Sequence, residues 1–417
     1  MAAATRPRRR AKPPLEYSIL YTATLCLLAA GAVMVYSASS ASSLLRSGDP
    51  AVFLKRYVLF GVLGLVVMHL ISRGGLRVIR RLTPLLVGVS FVLTLAVMVP
   101  HVGITVNGAT RWLGAGPVQF QPSELLKVAL TLYSAGLLAS RPSCLRSVRE
   151  LSRPLLMVVG AACLLLLAQP DMGTAMVICF ATFALLIAAG AKLRHLGTIL
   201  LVLGVLALIF AIAEPYRRDR LLSFVNPWHD AGGTGFQAAQ AQIALGSGGL
   251  FGRGLGESVQ KIFYLPEAHT DMILAIVGEE LGVIGISALA ALYGVIAYAG
   301  FRAAKLARDR YAKLLAAGLT SLILCQAALN FFAVLGMAPL TGVPLPFVSY
   351  GSSNLVVLLG AMGLVLNVAS TGGSAAGGRR RRRLEAIDGG ADADSHRRGR
   401  DRGSRRARAG DRRRAAG

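Results

Sequence analysis

The chain has 417 residues, of which 54% are hydrophobic and 16% are charged. Soluble globular proteins carry about 25% charged residues, so the composition excludes that class and indicates an integral membrane protein. The formal net charge of +25 is a feature of many nucleic-acid-binding proteins. Here the basic residues fall on alternate loops, as the positive-inside rule requires, and we expect no nucleic-acid partner.

Ten apolar segments are of the length needed to cross about 30 Å of hydrocarbon. They lie near residues 17–37, 53–72, 82–100, 122–140, 154–169, 172–190, 196–213, 271–300, 314–337 and 348–369. The sequence therefore predicts an all-α integral membrane protein, a polytopic bundle of ten transmembrane helices over residues 17–370. Residues 214–270, between the seventh and eighth spans, form a large extracytoplasmic loop in this prediction.

Basic residues set the predicted orientation of the bundle. Residues 1–16 contain four Arg and one Lys, and the loops after the second, fourth, sixth and eighth spans are also basic. Both termini are then cytoplasmic. The tail over residues 371–417 has 15 Arg and 6 acidic residues, and its low complexity predicts a disordered, solvated anchor near anionic lipid headgroups.

The fourth predicted span carries two charges, Glu124 and Lys127, three residues apart and therefore on one face of a helix. Either they pair with each other, or they hold a charged headgroup. Asp171 follows Pro170 between two spans, where an N-cap role and a functional role are both open.

The outer loops hold an unusual number of bases: Arg111, Arg217, Arg218, Arg220, Arg253 and Lys261. Guanidinium groups match phosphate oxygens in a bidentate manner, so a phosphate or pyrophosphate is one expected ligand. Pairing with outer acids such as Asp219 and Asp230, or with lipid phosphate, is the alternative. Long loops of this kind are usually functional or disordered.

Asp271 lies at the start of the eighth predicted span, in the sequence HTDMILAIV. A carboxylate beside hydrocarbon is costly unless it is paired, hydrated or used, which makes it a functional candidate. The alternative is an N-cap that accepts from free helix N–H groups. Of Glu279 and Glu280, about two turns further along, we expect one to pair with a base inside the bundle.

The cysteine and histidine residues do not predict a metal site. The five cysteines show no metal-ligand spacing, and their positions argue against disulfides. His269 has no second histidine at ligand spacing, and we interpret it as a hydrogen-bonding partner.

Several motifs occur in a fixed order along the chain. They are NGATRWL (107–113), QPSELLK (121–127), QPDMGTA (169–175), RLLSFVNPW (220–228), GTGFQAAQ (233–240), GSGGLFGRGLGESVQK (246–261), YLPEAHTDMI (264–273), GEELG (278–282) and TGVPLPFVSYG (341–351). In these motifs the chain resembles the SEDS family (shape, elongation, division and sporulation), the membrane partners of class B penicillin-binding proteins. Met272, Phe332 and Ser352 depart from the usual residues of that family.

The resemblance implies an enzyme, a peptidoglycan glycosyltransferase that polymerises lipid II into β-1,4 glycan strands at the outer face of the bacterial cytoplasmic membrane. Asp271 matches the family's essential carboxylate and is the predicted catalytic residue. The predicted substrate-binding residues are Arg111, Glu124, Lys127, Arg218, Gln237, Gln240, Lys261, Glu267, His269 and Ser349. The PEAH and GEELG sequences are closer to the division member than to the elongation member, which implies a septal enzyme working with divisome proteins. Elongation and sporulation roles stay open.

Two rival functions remain at this point, a lipid II flippase or other transporter and a non-catalytic scaffold for the transpeptidase. Transporters place their sites near the midplane between inverted repeats, whereas no internal repeat is evident here and the polar residues gather at the outer face. The donor substrate is already activated, so no nucleotide is required, and no P-loop sequence is present. A divalent cation, Mg²⁺ or Mn²⁺, is the one cofactor that the chemistry would accommodate.

Overall fold

The computed structural model describes residues 13–106, 109–115, 118–213, 223–233, 235–262 and 264–372. Its helices in chain order are α1 (Leu15–Ser47), α2 (Val52–Arg73), α3 (Leu76–Ala96), α4 (Pro122–Ser140), α5 (Val148–Ala168), α6 (Met172–Ala189), α7 (Leu193–Ala213), α8 (Phe236–Gly248), α9 (Ile273–Leu306), α10 (Arg310–Val334) and α11 (Ser352–Gly372). Residues 1–12 of the predicted basic N-terminus (1–16) and the Arg-rich tail beyond residue 372 lie outside the described residues, as do the predicted outer-loop charges Arg217, Arg218, Asp219 and Arg220.

Eight of the described helices are long and apolar enough to span a membrane: α1, α2, α3, α5, α6, α9, α10 and α11. This confirms the predicted class, a multi-pass helical membrane protein. The other two predicted spans coincide with α4 and α7, which are not among the eight, so the count of ten remains a prediction. Helices α10 and α11 are the most buried of the eight, and α2 and α3 are the most exposed.

A small antiparallel sheet in strand order β1-β2-β3 lies between α3 and α4. It consists of β1 (Gly103–Val106), β2 (Ala109–Ala115) and β3 (Val118–Phe120), with Ile104 opposite Trp112 and Leu113 opposite Phe120. The all-α prediction did not include this sheet. An Asn-Gly pair between two short stretches of strand-forming residues, as at 107–108, is the usual sequence signal for a hairpin.

The starts of four helices gather around this sheet, at what we call the sheet end of the bundle. The hydroxyl of Ser352, at the start of α11, donates to Gln119 O, and Gln121 N, just before α4, donates to Ser353 Oγ. Arg111 of β2 reaches the residues before α6. The chain before α9 joins the residues before α11, because Tyr350 N donates to His269 O at 3.0 Å.

The connection between α10 and α11 includes residues 341–351, which we call the platform loop. Two tyrosine hydroxyls from distant helices hold it, Tyr57 of α2 donating to Phe347 O and Tyr293 of α9 donating to Pro346 O. Gly31 of α1 lies directly against this contact, since a Cβ on residue 31 would meet Tyr57 Oη and Phe347 O. A residue without a side chain is therefore needed at position 31.

Helix α9 is interrupted at Gly282, which has φ 66° and ψ −162°. Glycine adopts this backbone conformation without the steric cost that a Cβ would impose. The break frees backbone N–H and C=O groups that would otherwise bond within the helix. The chain just after α8 supplies their partners, so α9 and the preceding loop are bonded at the level of the kink.

Helix α8 lies inside the loop predicted for residues 214–270. Its buried residues are small, Ala239, Ala241, Ala244 and Gly248. A Cβ on Gly248 would meet the backbone of Gly278 and Glu279. Small side chains therefore allow α8 to pack closely on α9, as is usual for helix contacts in membrane proteins.

Candidate active site

Asp271 lies at the sheet end, two residues before the first residue of α9, and it is partly exposed. Its carbonyl oxygen accepts from Asn330 Nδ2 at 2.7 Å, and the Thr270 hydroxyl lies 3.2 Å from its Oδ1. A Cβ on Gly342 of the platform loop would be 3.7 Å from Asp271 Oδ2. The backbone of Asp271 is thus fixed, and the residue facing its carboxylate has no side chain.

The N-cap alternative for Asp271 does not hold in its simple form, because the N-cap of α9 is Met272. Asp271 therefore lies one residue before the position from which a side chain normally caps a helix.

Asp171, by contrast, is the N-cap of α6, and its Oδ1 accepts from Thr174 N at 3.3 Å. Its Oδ2 accepts from Ser123 Oγ at 3.2 Å and from Gln121 Nε2 at 3.3 Å. The residue is only 4% exposed. The capping interpretation of Asp171 is confirmed, and its carboxylate also ties α6 to the start of α4.

Glu124 and Lys127 form an ion pair with 2.9 Å between Oε2 and Nζ, and neither side chain is more than 2% exposed. Lys127 Nζ also donates to Gln326 Oε1 at 2.8 Å. Gln326 in turn donates to Pro344 O of the platform loop at 3.0 Å. Of the two alternatives, the structure shows the pairing of these charges, and the pair connects α4 to α10 and the platform loop.

Lys261 is also enclosed. Its Nζ lies 3.0 Å from Glu280 Oε1, 2.6 Å from Gly256 O and 3.3 Å from Ser37 Oγ. An ammonium group has three N–H donors, and three protein partners surround this one. The prediction that Glu279 or Glu280 pairs with a base is confirmed for Glu280, whereas Lys261 is not placed to contact a phosphate on the surface.

Arg111 directs its guanidinium group at the chain between α5 and α6, where it donates to Gln169 O at 3.4 Å and to Pro170 O. The side chain therefore joins the sheet to the residues that precede Asp171. Arg111 is partly exposed, whereas Lys127 and Lys261 are both buried. Arg253, the other outer-loop base in the described part of the chain, is exposed and lies 3.9 Å from Glu279.

His269 packs its ring beside two aromatic rings, with centroid distances of 4.3 Å to Phe53 and 5.7 Å to Tyr350. Burial lowers the pKa of His269 below its usual value of 6.5, against the raising effect of Glu267. The imidazole is therefore neutral at pH 7. Glu267 is exposed, and its Oε2 lies 2.8 Å from the Thr270 hydroxyl.

The remaining predicted substrate-binding residues, Gln237, Gln240 and Ser349, lie in two different parts of the fold, α8 and the platform loop. Gln237 of α8 lines a cavity of about 300 Å³, together with Phe224, Pro266 and Leu340 among others. Gln240 lies half-buried on the same helix. Ser349 is buried in the platform loop, where its hydroxyl accepts from Leu345 N at 2.8 Å.

The described residues do not supply a protein ligand set for a metal ion, since no group of three His, Cys, Asp or Glu side chains there is placed to hold one. Mg²⁺ sites commonly use one or two carboxylates together with substrate phosphates. Asp271 and Glu267, which precede α9 and are not buried, are the carboxylates nearest to that description.

Residues 18–372 match the sequence model of the FtsW, RodA and SpoVE family, described as cell cycle proteins. The chain belongs to this family. The matched residues include every helix of the bundle apart from the first turn of α1.

Curated relatives of this family align along most of the chain. The probable peptidoglycan glycosyltransferase FtsW of Thioalkalivibrio sulfidiphilus is 43% identical over 356 residues, which cover 84% of this chain and 88% of that protein. Stage V sporulation protein E of Bacillus subtilis is 40% identical over 354 residues, covering 84% of this chain and 96% of that protein.

Solved structures of family members have the same fold. One belongs to a study described as the structural coordination of polymerization and crosslinking by a peptidoglycan synthase complex. It has a TM-score of 0.70 and 30% identity, and the match covers 85% of this chain and 97% of that one. The rod shape determining protein RodA of Thermus thermophilus has a TM-score of 0.61 and 31% identity, and the match covers 84% and 95% of the two chains.

Three buried amide side chains at this site were not identified from the sequence: Gln326, Asn330 and Asn354. Asn330 Nδ2 bonds both Asp271 O and Val343 O, at 2.7 and 2.8 Å, and so holds the catalytic candidate beside the platform loop. Gln326 also reaches Asn354 Oδ1 at 3.3 Å. The available signal was the spacing of Gln326 and Asn330, four residues apart on one face of an apolar helix, where polar residues are costly unless bonded.

Proposed function

We propose that this protein is a peptidoglycan glycosyltransferase that polymerises lipid II into β-1,4 glycan strands at the sheet end of the bundle. The observation that carries the proposal is that Asp271 is partly exposed beside Gly342, whereas Glu124, Asp171 and Glu280 are buried. Relatives at about 40% identity are named as peptidoglycan glycosyltransferases, which supports the same assignment.

In this reaction the 4-hydroxyl of a lipid-linked GlcNAc attacks the anomeric carbon of a MurNAc whose leaving group is undecaprenyl diphosphate. The hydroxyl loses its proton as the C–O bond forms, and Asp271 is the proposed general base that accepts it. General bases typically contribute about 10²–10⁴-fold to a rate. An α-linked donor and a β-linked product require a single inverting displacement, for which one carboxylate is sufficient.

The leaving diphosphate carries negative charge that fixed cations can stabilise. Arg111 is the proposed cation within the described part of the chain, because Lys127 and Lys261 are enclosed by protein partners. Arg218 is retained as a second candidate from the sequence. If Mg²⁺ or Mn²⁺ binds with the diphosphate, it would supply Lewis-acid charge neutralisation at the same place.

The cavity beside α8 is the proposed place for part of a sugar headgroup. Its lining combines apolar rings with the amides of Gln237 and Gln242, a combination that suits the mixed faces of a saccharide. Two of the lining residues lie close in sequence to the proposed active site. Pro266 is five residues before Asp271, and Leu340 is two residues before Gly342.

We further propose a class B penicillin-binding protein as the transpeptidase partner, with divisome proteins beside it and the chain enriched at the septum. The family neighbour described as part of a peptidoglycan synthase complex supports a crosslinking partner. The basic loops of the sequence support cytoplasmic termini and place the sheet end outside the cell. The tail over residues 371–417 is then a charged cytoplasmic extension of the 17–370 domain.

Reconstitution tests the proposal directly. The protein and its cognate transpeptidase are placed in liposomes with fluorescent lipid II on the accessible face, and polymer is followed on gels. We expect glycan strands from the wild type and none above background from Asp271→Asn. Headgroup translocation without polymer would instead indicate a flippase. If neither polymer nor translocation is observed, the protein is a scaffold.

A further inference from the structure

A row of apolar side chains on the loop after α8 is exposed, although this loop is bonded to the membrane-spanning helix α9. We call residues 249–262 the boundary segment. Phe251 is 79% exposed, and the other exposed apolar residues of the segment are Leu250, Leu255, Val259 and Ile262. Single exposed apolar residues are common on soluble surfaces, but a contiguous group marks an interaction surface.

The boundary segment exchanges backbone hydrogen bonds with α9 on both sides of the kink at Gly282. Arg253 N and Gly254 N donate to Glu279 O and Glu280 O at 2.9 and 3.0 Å, and Val283 N donates to Gly249 O at 3.1 Å. A fourth bond runs from Ile284 N to Leu250 O at 3.3 Å. Irregular backbone at membrane level must be satisfied by protein in this way.

The position of the kink along α9 gives the level of this contact. Helix α9 has 34 residues, about 51 Å at 1.5 Å per residue, which exceeds the ~30 Å hydrocarbon core. Arg302 pairs with Glu16 at 2.8 Å near the opposite end of the bundle, and these charges mark the other hydrocarbon boundary. About 20 residues are needed to cross, and counting back from Arg302 reaches Gly282.

The exposed surface of the boundary segment continues directly onto the membrane face of α9. Val283 and Ile284 are 51% and 55% exposed, and both are bonded to the boundary segment. These two residues belong to an apolar spanning helix, so their exposed side chains face lipid. Ile284 N donates to Leu250 O, so Leu250 and its exposed neighbour Phe251 continue the same apolar surface.

We propose that the boundary segment is inserted in the lipid leaflet at the sheet end, with the side chains of Leu250, Phe251 and Leu255 among the outermost acyl carbons. The basic residue Arg253 fits this placement. Arg253 lies 3.9 Å from Glu279 and is 44% exposed, so its long side chain can reach lipid phosphate while its stem remains in the apolar layer.

The other side of the boundary segment is polar and bonded to α9 below Asp271. Glu279 accepts from Ser258 Oγ at 2.5 Å and from Val259 N at 3.0 Å, and Lys261 pairs with Glu280. The segment is thus an amphipathic element with one face on lipid and one on the turns that follow Asp271. It fixes the height of the catalytic candidate relative to the bilayer surface.

Depth-dependent fluorescence quenching tests this insertion without any reference to enzymatic activity. The variant Phe251→Trp is reconstituted in liposomes, and its emission is obtained as the difference from the wild-type protein, which contains two Trp. We expect lipid nitroxides at carbon 5 to quench this emission roughly twofold more than nitroxides at carbon 12, as for a side chain buried about 5–10 Å. Aqueous iodide should have little effect.

Two matched Trp variants calibrate the depth that the quenching experiment measures. Val295→Trp lies on the exposed face of α9, 13 residues beyond Gly282, and should be quenched best at carbon 12. Ser47→Trp, exposed at the end of α1, should be quenched by iodide. If Phe251→Trp behaves like Ser47→Trp, the segment faces water and is left for a protein partner, and the proposal is overturned. Quenching like that of Val295→Trp would also overturn the shallow placement.

Discussion

Asp171 and Asp271 form a natural comparison, because each precedes a methionine at the start of an apolar helix and both lie at the sheet end. Asp171 is 4% exposed and accepts hydrogen bonds from Thr174, Ser123 and Gln121. Asp271 is partly exposed and faces Gly342. The same residue type in the same local sequence context is a structural acceptor in one case and a chemical candidate in the other.

The two residues differ in how far the carboxylate is buried, although the carboxylates of both accept hydrogen bonds. At Asp171 the buried carboxylate accepts hydrogen bonds from Gln121, Ser123 and Thr174, and it thereby joins the start of α4 to α6. At Asp271 the backbone carbonyl is bonded by Asn330, which fixes the residue while its side chain remains partly exposed. A residue that must exchange a proton needs an accessible side chain on a rigid backbone, and the Asp271 region has this arrangement.

The largest expected effect is on polymerisation by Asp271→Asn. The amide keeps the shape of the side chain but cannot accept a proton from an attacking hydroxyl, so we expect a loss of about 10²–10⁴-fold in rate. Polymer formation from lipid II in liposomes measures it, and thermal unfolding in detergent should be unchanged. Asp171→Asn is the matched control. Equal loss of activity in both variants at equal stability would remove the distinction between the two aspartates.

Glu280→Gln sharpens the comparison with a carboxylate that lies on the helix following Asp271 and resembles Asp171 in burial. Lys261 would be left as a buried charge with a neutral partner, and breaking a buried pair costs about 3–5 kcal/mol. Thermal unfolding should therefore show a large loss of stability. The double variant Glu280→Gln with Lys261→Met should recover part of it. If the double variant recovers no stability, loss of the ion pair is not the cause of the destabilisation.

Asp171→Ala should have a smaller effect, on stability alone. The cap on Thr174 and the bonds from Ser123 and Gln121 are removed together, and loss of an N-cap costs about 0.5–2 kcal/mol. Asp171→Asn should retain the cap through its Oδ1 and lose less. Specific polymerisation activity of the folded fraction should stay near the wild-type value, and a drop beyond tenfold would assign Asp171 a chemical role.

The smallest expected effect is a pH dependence from His269. Burial lowers the pKa of this imidazole in the folded protein, so the unfolded state binds a proton more readily. The contribution of His269 to stability is therefore present above about pH 6.5 and is lost as the pH falls through the lower folded-state pKa. Thermal unfolding between pH 5 and 8 measures the slope. His269→Phe keeps the ring contacts and should flatten it.

Much of the fold was evident in the sequence because apolar runs of about 20 residues have few other structures available to them. The two ion pairs and the Asp171 cap were also foreseeable, since charges in apolar surroundings need partners. The sheet of residues 103–120 was missed because its strands have only three to seven residues. The kink at Gly282 and the amide contacts of Asn330 depend on elements distant in sequence, which no local pattern contains.

The contact of Gly31 with Tyr57 and Phe347 has a genetic consequence. Any side chain at position 31 would push against the tyrosine that holds the platform loop, and the platform loop lies opposite Asp271. Replacement of Gly31 by alanine should thus yield a heat-sensitive allele, with growth at low temperature and arrest at high temperature. Position 31 on α1, distant from Asp271 in sequence, is thus a place where a substitution can weaken the enzyme without changing Asp271.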